Sequence, residues 1–142
     1  MQIRELMNPS VVTVEPRSSA ALAARLLSRH NVGALPVCSS DRELRGMVTD
    51  RDIVLRCLAV ESDPAQTPVK DIMTRRPASV GPGEDCRTAA QLMARRQVRR
   101  LPVVEDGKLV GIVSLGDLAK CKNFDMEAAE ALSEISENII RR

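Results

Sequence analysis

The sequence predicts a mixed α+β (α/β) fold: two β-α-β-β-α repeats packed as one pseudo-twofold module, followed by a C-terminal helix. Three observations predict it. The chain repeats itself at an offset of 66 residues, each copy alternates short β-branched runs with helical stripes, and residues 124–142 switch to an acidic, amphipathic pattern.

The repeat is the strongest signal, because self-similarity at a fixed period defines the structural unit. Ile3-Arg-Glu-Leu-Met7 matches Val69-Lys-Asp-Ile-Met73 in character at every position, and the register holds without a gap to Leu35-Pro36-Val37 over Leu101-Pro102-Val103. One residue is then lost in a turn, and Gly46-Met-Val-Thr-Asp-Arg-Asp52 lies over Gly111-Ile-Val-Ser-Leu-Gly-Asp117. This gives a first repeat over 1–60, a linker over 61–68 and a second repeat over 69–123. A unit of about 55 residues cannot cover both faces of a small sheet by itself, so the pair is expected to fold together.

Within each copy the elements follow in order. Val11–Val14 and Ala78–Val80 read as short strands, ended by Pro16 and by Gly81-Pro82-Gly83. Ser18 or Ser19, and Glu84 or Asp85, supply helix-start chemistry. The first helix turns Leu22, Leu26 and Leu27 inward; the second turns Ala89, Leu92 and Met93. Ala34-Leu-Pro-Val37 and Arg100-Leu-Pro-Val103 enter a strand at a proline. The third strands, Leu44 to Thr49 and Leu109 to Ser114, lead into helices beginning near Asp52 and Asp117. The linker Glu61-Ser-Asp-Pro-Ala-Gln-Thr-Pro68 is short and polar. In the tail, Met126, Ala129, Leu132, Ile135 and Ile139 form an apolar helical stripe, with Glu127, Glu130, Glu134 and Glu137 opposite.

Composition excludes several functions. Of 142 residues 44% are hydrophobic and 28% charged, and the one aromatic residue is Phe124, so aromatic platforms for RNA or single-stranded DNA are missing. With 21 basic and 19 acidic residues the net charge is +2, which argues against a general grip on duplex nucleic acid. No apolar run approaches the roughly 20 residues that span a bilayer, and Met-Gln-Ile-Arg-Glu is charged where a signal peptide is apolar. A soluble, cytoplasmic protein without membrane association is expected. Cys38, Cys57, Cys86 and Cys121 form no C-x-x-C pair and His30 is the one histidine, so the cysteines read as buried thiols, no metal site is expected, and His30 reads as a helix-end residue.

The chemistry lies in the repeated Gly-h-h-[Thr/Ser]-x-x-Asp element. A hydroxyl followed three residues later by an acid resembles a capping box, with Thr49 or Ser114 as the cap. Such a box prefers Glu or Gln, whose longer side chain reaches back, and Asp in both copies fits that task less well. The same residues suit a ligand: a hydroxyl can donate to phosphate, and a carboxylate can accept from the paired hydroxyls of a ribose. The pattern alone leaves both uses open.

Taken together, the Arg-Glu-Leu-Met and Lys-Asp-Ile-Met openings, the Leu-Pro-Val strand starts and the two Gly-h-h-[Thr/Ser]-x-x-Asp elements resemble cystathionine-β-synthase-type (CBS) domains, two of which make a Bateman module. The resemblance runs from Ile3 to about Lys122 and is similar to that of stand-alone bacterial CBS pairs. It implies a non-enzymatic regulatory or sensor module that binds AMP, ADP, ATP or S-adenosylmethionine in clefts between the repeats, requires no cofactor, forms a homodimer and acts on a partner protein. Carried onto this chain, Asp52 and Asp117 would hold ribose, Thr49 and Ser114 would sit by phosphate, and Thr13 and Ser79 would line the base and sugar region. Arg99-Arg100, which replace the first copy's Gly33-Ala34, would meet phosphate, with Arg51 a weaker candidate. With Gly33-Ala34 the first copy departs from the family's pattern and lacks these basic residues for a phosphate. An alternative is a dimeric interaction module with vestigial clefts, acting through its C-terminal helix.

Overall fold

A computed structural model describes residues 1–119 and 133–135. The chain divides into two compact units, one of Val12–Pro77 with Gly107–Leu109 and one of Met1–Val11 with Ala78–Asp106 and Val110–Arg142. We call them the first-repeat and second-repeat units.

The first-repeat unit begins with Val14, whose N–H donates to the Pro36 carbonyl at 3.1 Å and whose carbonyl accepts from Cys38 at 2.9 Å. The expected strand at Val11–Val14 is thus reduced to one parallel bridge, Val14 to Val37. Helix α1 (Ala20–His30) starts at Ser19, whose hydroxyl accepts from the Leu22 N–H at 3.1 Å. It stops at Asn31, which takes the left-handed conformation at φ 51°. Its buried face is Ala20, Ala23 and Leu27, while Leu22 and Leu26 are half-buried. Strands β1 (Ala34–Cys38) and β2 (Leu44–Thr49) form an antiparallel hairpin, Leu35 opposite Val48 and Ala34 opposite Thr49. Helix α2 (Asp50–Ile53) follows directly and continues as a wider π-helical turn over Val54–Leu58, where Ala59 donates to the Val54 carbonyl at 2.8 Å.

The strand that completes this sheet, at Thr74–Arg75, carries no signal in the sequence. β3 (Thr74–Arg75) pairs antiparallel with β2, Met47 facing Thr74 and Gly46 facing Arg75. The segment leading into it is tied down as well: Val69 donates to Ser18 at 2.8 Å and Lys70 to Pro16 at 2.9 Å. Val69 and Ile72 are buried in the core with Leu35, Val37, Val48 and Cys57.

The second-repeat unit reproduces these bonds 66 residues away. Ile3 donates to Glu84 and Arg4 to Pro82, both at 2.9 Å, and Asn8 bridges Ile112. Each unit therefore holds the opening segment of the other repeat's sequence. Val80 makes a single parallel bridge to Val103, and α3 (Cys86–Arg96) is capped by Asp85, whose carboxylate accepts from Arg87 at 2.9 Å. β4 (Arg100–Glu105) and β5 (Lys108–Ser114) form a two-stranded sheet leading to α4 (Leu115–Ala119). Ile3, Met93, Leu101, Val103, Val113 and Leu118 are core residues, each burial contributing about 1.5–3 kcal/mol. Of the expected tail helix only Ser133–Ile135 is described: it is helical, and Ile135, 3% exposed, joins this core. The rest of the tail, Cys121 included, lies outside the described residues.

The glycines of the repeated element have a packing role. A Cβ at Gly46 would stand 2.6 Å from the Thr74 carbonyl and 2.7 Å from the Met73 sulfur. One at Gly111 would stand 2.8 Å from the Met7 sulfur and 3.0 Å from the Asn8 carbonyl. The opening segments reach their sheets only because neither position carries a side chain.

Candidate functional site

The two Gly-h-h-[Thr/Ser]-x-x-Asp elements fold alike. As β2 ends, Thr49 stays extended and its hydroxyl accepts from the Asp52 N–H at 3.0 Å, while the Thr49 N–H donates to Asp52 Oδ2 at 3.0 Å. As β5 ends, Ser114 Oγ accepts from the Asp117 N–H at 3.0 Å and the Ser114 N–H donates to Asp117 Oδ2 at 2.9 Å. Both are complete capping boxes. The expectation that Asp fits this task less well is therefore corrected. With the cap still extended, the short carboxylate lies close enough to close the ring without a longer stem.

Capping does not use up the carboxylates. One oxygen of each Asp accepts one N–H, which leaves lone pairs on that oxygen and the whole of the other. In the second repeat, Asp117 is half-buried and its Oδ1 has no hydrogen-bond or ion-pair partner among the described residues. In the first, Asp52 is 8% exposed and its Oδ1 faces Arg56 Nε at 3.9 Å. The same guanidinium donates through Nη1 to the Ile72 carbonyl at 3.1 Å and the Met73 carbonyl at 3.4 Å. Arg56 escaped the sequence reading, although its place four residues after Asp52 on a helix was a visible pairing signal.

The other candidates sort cleanly by unit. Thr13, half-buried, precedes the Val14 bridge on the side where Ala34 meets Thr49. Arg51 is exposed, and its N–H donates to Asp50 Oδ1 at 2.8 Å. In the second-repeat unit, Ser79 is exposed just before Val80. Arg99, exposed, and Arg100, half-buried, stand beside the box, since Leu115 donates its N–H to the Arg99 carbonyl at 2.8 Å. The equivalent bond in the first repeat runs from Asp50 to Gly33 at 3.1 Å. Thr13, Thr49, Arg51 and Asp52 thus belong to one unit, and Ser79, Arg99, Arg100, Ser114 and Asp117 to the other.

Among the described residues no group of three or more His, Cys, Asp or Glu side chains is placed to hold a metal ion. No helix among them is long and apolar enough to cross a membrane. Cys38, Cys57 and Cys86 are buried thiols; burial pushes the Cys38 thiol up from its ordinary value, with the Arg42 charge pulling the other way. His30 is the last residue of α1 and is exposed.

A family model described as CBS domain matches the chain twice, over residues 3–58 and 69–122. The chain is similar to CBS domain-containing protein YhcV of Bacillus subtilis, 45% identical over 134 residues, covering 94% of each chain. Among solved structures it is similar to Hypoxic Response Protein I, which carries two coordinated zinc ions, at 35% identity and TM-score 0.79, covering 84% of this chain and 98% of that one. It is also similar to CBSX2 in complex with AMP, at 32% identity and TM-score 0.74, covering 84% of this chain and 93% of that one.

Proposed function

Because the chain belongs to the CBS-domain family, we propose that it is a non-catalytic regulatory module that binds an adenosine-containing ligand and conveys its binding state to a partner protein. The observation that carries this reading is the uncommitted acceptor capacity of two duplicated hydroxyl–carboxylate boxes. Asp117 Oδ1 has no partner among the described residues, and both carboxylates keep free lone pairs. A ribose presents two adjacent hydroxyls, which a single carboxylate can accept together. That CBSX2 holds AMP on the same fold at 32% identity supports the ligand class.

In this reading the carboxylate of a ligand-bearing box, Asp52 or Asp117, takes ribose hydroxyls, and its hydroxyl, Thr49 or Ser114, lies near phosphate. Thr13 and Ser79 line the base and sugar region. Arg99 and Arg100 meet phosphate through charge-assisted bonds, with Arg51 a minor contributor. Adenine would rest on aliphatic surface, so the scarcity of aromatic residues is no obstacle. AMP, ADP, ATP and S-adenosylmethionine all fit this description.

A homodimer is part of the proposal. Val54, Leu55, Leu58 and Val60 are 46–62% exposed on and just beyond the turn that extends α2, an apolar stretch that a second subunit would cover. The alternative, in which the tail is a handle for other proteins, has less behind it, since Ile135 is buried in the core of its own unit.

The test is a thermal-shift and calorimetric panel of the four ligands on protein freed of co-purified nucleotide. A ligand at a hundred times its Kd stabilises the folded state by about 2.7 kcal/mol. No response to any of them at millimolar concentration refutes the proposal.

A further inference from the structure

The two boxes share one geometry and differ in charge. In the second repeat the Leu115–Arg99 backbone bond sets Arg99 and Arg100 beside the Ser114–Asp117 box, and the residues after Ser114 are Leu115 and Gly116, both uncharged. In the first repeat Gly33 and Ala34 take the place of the two arginines, and Asp50 takes the place of Leu115. The Asp50 carboxylate leans over the vacated position: its Oδ2 lies 3.7 Å from where a Cβ at Gly33 would stand. Where the second repeat offers two guanidiniums, the first offers a carboxylate, with Arg51 next to it in place of Gly116.

The ribose position differs too. Asp52 is held on one oxygen by Thr49 and faced on the other by Arg56, whose guanidinium is itself fixed to the Ile72 and Met73 carbonyls. In sequence, Arg56 corresponds to Cys121, which brings no such charge to Asp117. Arg51 does not restore a cationic first site, because Asp50 neighbours it on the same exposed turn.

We infer that the two repeats are unequal sites: the second alone takes a phosphate-bearing adenosine ligand, and Asp50 together with the Arg56-held Asp52 makes the first refuse it. This rests on the proposed function and deepens it by saying which box serves and why the other does not. A phosphate brought to the first box meets a like charge within a few ångströms, and its ribose must compete with a guanidinium for the carboxylate. At the second box the phosphate finds charge-assisted donors, and the ribose finds an oxygen that has no partner among the described residues.

The experiment is titration calorimetry on the full chain freed of nucleotide, with AMP as the probe and adenosine as its phosphate-free counterpart. Wild-type protein is expected to bind one AMP per chain. Arg99→Gln with Arg100→Gln should weaken AMP roughly ten- to hundred-fold while changing adenosine less than about threefold. Asp50→Asn, at an exposed position, should admit a second, weaker AMP, and Asp50→Leu with Ala34→Arg should strengthen it; a melting curve checks that both variants fold. Two equivalent AMP sites in the wild type overturn the inference, as does AMP affinity indifferent to the two arginines, or a stoichiometry of one that Asp50→Asn leaves unchanged. Those outcomes leave adenosine-ligand binding intact. A chain that binds neither AMP nor adenosine overturns the proposed function and this inference with it.

Discussion

Asp117 is assigned two jobs, and a pair of substitutions separates them. Its Oδ2 accepts the Ser114 N–H at 2.9 Å, while its Oδ1 is the oxygen proposed for ribose. Asp117→Ala removes both. The lost capping bond strands the Ser114 N–H, but Ser114 is half-buried and water can partly replace the acceptor, so the expected cost is about 1 kcal/mol. For a chain of this length that lowers Tm by roughly 2–4 °C. Asp117→Asn keeps a carbonyl oxygen for Ser114 and forfeits mainly the charge near a helix start, about 0.3–1 kcal/mol. Its Tm should fall less. For the ligand the two variants should be about equally harmful: the charge is gone, the asparagine oxygen turns to Ser114, and the amide group that replaces Oδ1 can donate to a ribose hydroxyl but not accept from one. Losing a charge-assisted bond of about 1.5–3 kcal/mol weakens AMP roughly 10- to 150-fold. Melting curves without ligand and calorimetry with AMP give the two readouts. If Asp117→Asn binds AMP like wild type, the carboxylate does not hold ribose; if it melts as low as Asp117→Ala, the box is not what Asp117 contributes to the fold.

Three further outcomes are expected. Gly46→Ala should cost about 1–3 kcal/mol and more than Gly111→Ala, because its Cβ meets the Thr74 carbonyl at 2.6 Å where Gly111 meets its nearest carbonyl at 3.0 Å; urea midpoints that coincide or reverse would contradict this. Arg56→Met should lower stability by about 1–2 kcal/mol, a figure discounted because the side chain is half exposed, by leaving Asp52 buried without its cation and the Ile72 and Met73 carbonyls without a donor; an unchanged melting temperature would remove Arg56 as an anchor. The third concerns Cys38, whose burial raises its thiol above the unfolded value. The folded chain therefore holds a proton that the unfolded chain gives up, and this contribution to stability, complete below the unfolded thiol's range, is lost as pH rises through the raised folded value. Urea midpoints between pH 8 and 10 should fall more steeply in wild type than in Cys38→Ala, and equal slopes would dismiss the thiol as a source.

Much of the fold was legible because it is written twice. Ser19 and Asp85 cap their helices as polar residues before an apolar stripe should, and Ala89 and Met93 turn inward at helical spacing. What escaped was whatever lacks a period. β3 is only two residues long, and two residues show no alternation. The strands expected at Val11–Val14 and Ala78–Val80 shrank to single bridges, since an extended-backbone preference, strong in Val11–Val14 and slight in Ala78–Val80, does not guarantee a ladder partner. The placement of each opening segment on the other repeat's unit was also out of reach. Ile3 and Val69 are apolar in the same register, and nothing in that similarity says which sheet either one covers.

The site shows where repetition helps and where it misleads. Agreement between the copies, in Gly46 and Gly111 or in the Thr49–Asp52 and Ser114–Asp117 pairs, marks what the fold needs in both places. The glycines admit a methionine-bearing segment, and the hydroxyl–acid pairs close a helix start. A ligand role could have produced the same agreement, so duplication by itself does not separate capping from binding. Difference between the copies does. A fold that is satisfied by Gly33 and Ala34 in one unit has no structural need for Arg99 and Arg100 in the other, whereas Leu115, where the first unit has the exposed Asp50, is buried in the core. Two arginines set beside the Asp117 carboxylate, at positions where the other repeat does without them, are the difference on which the proposed phosphate contact rests.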